Sequence, residues 1–141
     1  MLTHGIQRLI LLSSFCLVST GCVMSNLPMK APSASGTLTA PAGTSVEAVF
    51  SCVENSVRPL HREQSFWSDQ VTRRDDRAGI IETGNFEEDN VIGFRVRVRF
   101  APESKEVSIL IKGAGAYFTD LGVEKALDDF DARMQACLSA A

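Results

Sequence analysis

The chain is poor in the residues that most chemistry needs. Of its 141 residues only two are histidine, one is tryptophan and one is tyrosine. Both His4 and the charged head around it precede an apolar run, so His61 is the one imidazole in the body of the sequence. A zinc site needs several His or Cys ligands at fixed spacing, and a nucleophilic triad needs a base oriented by a third group; neither can be assembled here. Basic surplus is missing too. Lys and Arg number 14 against 17 Asp and Glu, for a net charge of −3 and an isoelectric point near 5.4. Nucleic-acid binders carry the opposite balance, because cations must displace counterions from phosphate, so no nucleic-acid partner is expected. No apolar run is long enough to span a bilayer. The longest, residues 9–18 (Leu-Ile-Leu-Leu-Ser-Ser-Phe-Cys-Leu-Val), would make a helix of only about 15 Å, roughly half a hydrocarbon core.

What is present falls into three zones. Residues 1–21 have a weakly basic head with Arg8, the short apolar run and small residues at the end, the layout of a cleaved signal peptide. Residues 22–43 hold three of the five prolines (Pro28, Pro32, Pro41) among Ser, Thr, Ala and Gly. Such a stretch buries too little apolar surface to offset its ordering entropy and reads as a flexible linker. Residues 44–141 carry the periodic patterns of a small α+β domain.

The junction Val18-Ser19-Thr20-Gly21-Cys22 resembles a bacterial lipobox. The resemblance implies that Cys22 is the lipidation site, carrying diacylglyceryl and an amide-linked chain such as palmitate. Two or three chains anchor a protein stably to a membrane, where one is marginal. Ser19 stands where Leu is commonest in that motif, and ordinary cleavage after Gly21 is the alternative. Val23, rather than Asp, after the cysteine implies an outer-membrane destination facing the periplasm, by the same resemblance.

Within the domain, Thr44-Ser45-Val46-Glu47 has the capping-box form with Thr44 as N-cap. Val46, Val49, Phe50, Val53 and Val57 then recur at helical spacing, and Pro59 predicts an end near Arg58. A first strand is predicted at residues 66–72, a charged turn at 73–77 and a second strand at 78–83. The clearest strand is Phe94-Arg95-Val96-Arg97-Val98-Arg99-Phe100, where apolar residues alternate strictly with arginine. Val107, Ile109 and Ile111 alternate with Ser108, Leu110 and Lys112 in a fourth strand, pairing with the third as an antiparallel hairpin. A last helix is predicted over residues 123–138, with Val123, Ala126, Leu127, Phe130, Met134 and Leu138 as its apolar stripe. The order α-β-β-β-β-α predicts a four-stranded antiparallel sheet with both helices on one face. Cys52 and Cys137 fall on the two helices. In an oxidising envelope compartment they are expected to form a disulfide, with two separate buried thiols as the alternative.

Few features could carry function. The acidic runs Glu87-Glu88-Asp89 and Asp128-Asp129 match no cation loop and read as solvated charge. Gly113-x-Gly115 lacks the rest of a phosphate-binding loop and reads as a turn. Phe66 and Trp67 could be contact or core residues. The arginine ladder Arg95, Arg97, Arg99 is the most suggestive: three guanidinium groups about 6.5–7 Å apart on one sheet face could grip an acidic protein or anionic glycan. Its plainer reading is an exposed face paired across strands to Glu82 or Glu106.

The run Arg74-Asp75-Asp76-Arg77-Ala78-Gly79-Ile80-Ile81-Glu82-Thr83, followed by the Arg-rich and Val-x-Ile-x-Ile strands, is similar to the small periplasmic domains of lipoprotein C of the β-barrel assembly machinery. The resemblance covers some forty of the 141 residues, and the tryptophan expected after the Thr is replaced by Gly84-Asn85-Phe86. It implies helices packed on a sheet and an accessory, non-enzymatic role. Three functions stay open: an outer-membrane lipoprotein binding an envelope protein or the cell wall, a small-ligand carrier with an apolar cavity between sheet and helices, and an enzyme. No cofactor or metal is expected.

Overall fold

The computed structural model describes residues 30–115 and 119–141. In chain order the elements are β1 (Ser33–Thr39), α1 (Val46–Glu63), β2 (Val71–Asp75), β3 (Ile80–Thr83), β4 (Gly93–Ala101), β5 (Glu106–Ala114) and α2 (Val123–Ala140). The strands form one antiparallel sheet in the order β1-β5-β4-β3-β2.

The sheet therefore has five strands, not the four predicted. The extra one lies in the stretch read as a linker, running antiparallel to β5 from Ser33↔Lys112 to Thr39↔Glu106. Its residues are too small and polar to show an apolar alternation. Smallness is what places them, because α2 packs directly on this strand: a Cβ at Gly36 would stand 2.6 Å from Asp131 Oδ2 and 3.4 Å from Leu127 Cδ1. Ala34 and Ala40, on either side, are buried. The folded unit thus begins before residue 44.

Helix α1 departs from its predicted ends, whereas α2 starts at Val123 as predicted and runs past Leu138 to Ala140. Ser45, not Thr44, caps α1, its Oγ accepting from the Ala48 N–H at 3.1 Å; the Thr44 hydroxyl turns back to the Pro41 carbonyl at 2.9 Å. Pro59 lies inside the helix rather than ending it. It removes one backbone donor, but the next residue, Leu60, lies in the core at 2% exposure, and that burial carries the helix on to Glu63. On α2, Asp120 rather than the residue adjoining the helix supplies the cap, accepting from Gly122 and Val123 at 2.8 Å each.

The first predicted strand is displaced. Trp67 sits in the core at 1% exposure, 5.0 Å from Phe94 and 6.1 Å from Phe130 between ring centroids. That anchors residues 66–68 across the start of β4, so β2 begins only at Val71 and draws Arg73, Arg74 and Asp75 out of the predicted turn. The turn falls at residues 76–79, where Gly79 adopts φ +64° beneath the Phe100 carbonyl; a side chain there would strike that oxygen.

Phe94, Val96, Val98 and Phe100 of β4 and Val107, Ile109 and Ile111 of β5 join Val49, Phe50 and Val53 of α1 and Phe130, Met134 and Leu138 of α2 in one core. Cys52 and Cys137 form the disulfide between the helices, with Cα atoms 5.6 Å apart and a sequence separation of 85.

Candidate functional site: the outer face of the sheet

Strand alternation puts Arg95, Arg97 and Arg99 on the face away from the helices, but the structure treats the three very differently. Arg95 is 1% exposed, Arg97 is half-buried and Arg99 is open to solvent. The ladder is not the uniformly exposed row predicted, because residues 84–92 fold back beneath it. Phe86, 2% exposed, lies against the sheet. The Arg97 guanidinium stands 4.2 Å from its ring centroid and Lys112 Nζ 5.2 Å, so cations on two strands share one aromatic face.

Charge fastens the loop at its edges. Arg97 Nε donates to Glu82 Oε1 at 2.6 Å, the cross-strand pair expected from sequence, and its other end reaches Glu87. Lys112 Nζ bonds Asp89 at 3.0 Å, which holds the Asp89 carboxyl below its ordinary range. Arg95 Nη1 donates to the carbonyls of Asn85 (3.0 Å) and Glu88. Its Nε and Nη2 are buried without a hydrogen-bond partner. Burial lowers the Arg95 pKa, with Asp89 and Glu88 acting in the opposite sense. Of the Glu87-Glu88-Asp89 run, the Glu87 and Asp89 carboxylates fasten the loop from positions that still reach solvent, whereas Glu88 is exposed and gives the loop only its backbone carbonyl. Arg95, a candidate partner-binding residue by sequence, is inaccessible, and the fold uses it to hold the loop.

Among the described residues nothing covers the other half of this face. Between β1, β5 and β4 lies a shallow depression of about 380 Å³ lined by Ser35, Thr37, Arg97, Arg99, Ser108 and Leu110. Its floor is the half-buried Leu110 side chain, its walls are hydroxyls, and Arg99 brings a cation to its side. Such a surface suits extended polar chains with an acidic group better than it suits a small apolar molecule.

The remaining candidates are placed elsewhere. His61 lies within the last turn of α1, not past its end, and its Nδ1 is 2.5 Å from the Trp67 carbonyl; it ties the helix to the following loop. Asp129 pairs with Lys125 one turn away at 2.6 Å. Gly113 packs under the Phe94 ring, where a Cβ would meet ring carbons at 2.8 Å, so its role is close packing. Trp67 is core, whereas Phe66 is 54% exposed. Among the described residues no group of three His, Cys, Asp or Glu could hold a metal, and no helix is long and apolar enough to cross a membrane. The predicted signal segment 1–21 and the predicted lipidation site Cys22 lie outside the described residues.

Sequence reasoning did not single out Asp131. It rests over Gly36 with Oδ1 buried and without a hydrogen-bond partner. Burial, then the charge of Asp128, raises its pKa above the ordinary Asp range. The folded state therefore binds this proton more tightly than the unfolded chain. The associated stability is complete below the unfolded pKa, about 3.9, and is lost as pH rises through the raised folded value. Asp131→Asn should be more stable than wild type at neutral pH, with the difference closing as pH falls to about 3. Urea midpoints at several pH values test this; a variant less stable than wild type at neutral pH would refute it.

The fold and this face define a small α+β protein with one half-open, cation-bearing sheet surface. Comparison with protein-family models finds no match for the chain, and comparison with curated proteins finds none either.

Proposed function

We propose that this protein is a lipid-anchored accessory component of a bacterial outer membrane, which holds an envelope protein or the cell wall through the uncovered half of its sheet. The observation that carries the reading is the division of the outer face. The Phe86 loop occupies one half, while Arg99, Leu110, Ser108, Ser35 and Thr37 remain uncovered beside it. The lipobox-like junction at Cys22 supports the anchor. Exposed Arg99 beside hydroxyls and the half-buried Leu110 offers the contacts that binding needs. The small-ligand alternative draws less support, because Phe50, Trp67, Phe130 and Met134, each at most 1% exposed, fill the space between helices and sheet.

Arg99 is the arginine to test, since replacing Arg95 or Arg97 would also release the loop. A photo-crosslinking residue at Ser108 in living cells should capture one envelope component, and Arg99→Gln should reduce that capture about tenfold, the scale of a lost charged contact. The same crosslinker at exposed Glu47 on α1 is the control. Equal capture from both positions, or capture at Ser108 indifferent to Arg99→Gln, would overturn the assignment.

A further inference from the structure

Among the described residues the sheet ends at β1 on one side and at β2 on the other, and the two edges are built differently. The β2 edge is short, carries Arg73, Arg74 and Asp75, and has an irregular register between Val71 and Arg73. Charge and irregularity are the usual devices that stop an edge from accepting another strand. β1 has neither. It is seven residues of Ser, Ala, Gly, Thr and Leu in unbroken register with β5.

The hydrogen bonds at its two ends fix which backbone groups are free. Gly113 N–H donates to the Pro32 carbonyl and Ala40 N–H to the Lys105 carbonyl, both at 2.8 Å. In an antiparallel ladder alternate residues face the partner, so Ala34, Gly36 and Leu38 bond toward β5. Ser33, Ser35, Thr37 and Thr39 turn their N–H and C=O groups to the open side, and all four are exposed.

Helix α2 lies along this edge and sets the charge above it. Glu124, Asp128 and Asp131 follow one another at helical spacing on the side of α2 nearest β1, Asp131 standing directly over Gly36. None of the three has an ionic partner among the described residues. The helix's cations are used on the opposite side: Lys125 pairs with Asp129 and Arg133 with Glu63 of α1.

We propose that β1 is a docking edge for an extended segment of a partner protein, added antiparallel or parallel as a sixth strand and carrying Lys or Arg at alternate positions. Residues of that strand lying beside Ala34, Gly36 and Leu38 share their face of the sheet, so their side chains rise toward Asp131, Asp128 and Glu124. Intervening residues fall on the outer face beside Ser35 and Thr37. A second copy of this chain does not fit: its own β1 offers Ala, Gly and Leu at those positions, and it would bring a second acidic stripe alongside the first. This inference does not depend on the membrane anchor.

The test uses the full chain in detergent and a fluorescent peptide of alternating Lys and Thr, long enough to span the seven residues of β1. Two control peptides alternate Glu with Thr, or hold the same Lys and Thr in two blocks. The alternating Lys peptide should bind, and both controls should bind at least about tenfold more weakly, the loss expected when backbone register and charge no longer coincide. Amide exchange at Ser33, Ser35, Thr37 and Thr39 should slow in the complex. Ser35→Pro, which deletes an outward N–H and no bond to β5, should abolish binding while leaving the thermal transition intact. Asp131→Asn should weaken binding although it stabilises the free protein, a split that a purely structural residue would not produce. Absence of binding by the alternating peptide, equal binding of the block peptide, unchanged exchange at the four edge amides, or self-association that Ser35→Pro removes would each overturn the proposal.

Discussion

Replacing Cys52 and Cys137 together by alanine should lower the melting temperature by more than about 15 °C. The disulfide closes a loop spanning 85 positions, and in the chain-entropy model a loop of that length is worth about 4–5 kcal/mol. For a domain of this size each kcal/mol moves the midpoint by about 4–8 °C. The cross-link joins the first helix to the last, so it restricts the unfolded state over most of the domain rather than over one hairpin. Cys52 is 2% exposed, and alanine leaves only a small void in its place, so packing adds little to the loss. Calorimetry on the wild type and the double variant checks the prediction. A shift below about 5 °C would mean that the helix interface holds nearly all of its stability without the bond.

Phe86→Ala should cost about 3–5 kcal/mol, the range for removing a buried phenylalanine. It should also change what the outer face presents. The ring is the apolar centre beneath Arg97 and Lys112. Without it the two cations lose their shared aromatic face, and the fastenings at Glu87 and Asp89 must hold the loop by surface charge alone. Ion pairs that reach solvent contribute at most about 1 kcal/mol each, too little to keep residues 84–92 in place. Arg95 would then exchange two carbonyl partners for water. Urea denaturation should show the loss of stability, and amide exchange should quicken at Asn85, Glu88 and Asp89 while β5 stays protected below its midpoint. If stability falls but exchange in the loop does not change, the ring is a core residue like any other, and the loop is held by something else.

The two halves of the outer face follow from the same strand, which is why the arginine ladder misleads when read alone. Alternation in residues 94–100 settles that all three arginines leave the helix side of the sheet. Their exposure depends on the loop just before the strand, whose own composition, Glu-Glu-Asp-Asn, looks like surface. Only the pairing of β4 with β3 and β5 brings Glu82 and Lys112 to Arg97, and only the fold-back of Phe86 buries Arg95. The charge of the loop and the charge of the strand are each legible; their neutralisation of one another is not. Asp131 is a similar case. Its place on the rim of an amphipathic helix is visible in the periodicity, but its pKa is raised first by burial, where it rests over Gly36 of a strand that sequence periodicity does not reveal, and then by Asp128.

The amino-acid order by itself determined an α+β chain with a helix toward each end, the central antiparallel hairpin, the inward and outward sides of β4 and β5, and the positions of the two cysteines that meet. These are consequences of periods of 3.6 and 2, which local side-chain chemistry writes directly into the sequence. The tertiary structure alone decided the fifth strand, the continuation of α1 through Pro59, the displacement of β2 by Trp67 and the closing of half the outer face. Each of those depends on free energy supplied by a distant surface: α2 resting on Gly36, the core receiving Leu60 and Trp67, and Phe86 meeting cations from two other strands. Small residues and loop charges carry no period, so their structure is set by what packs against them.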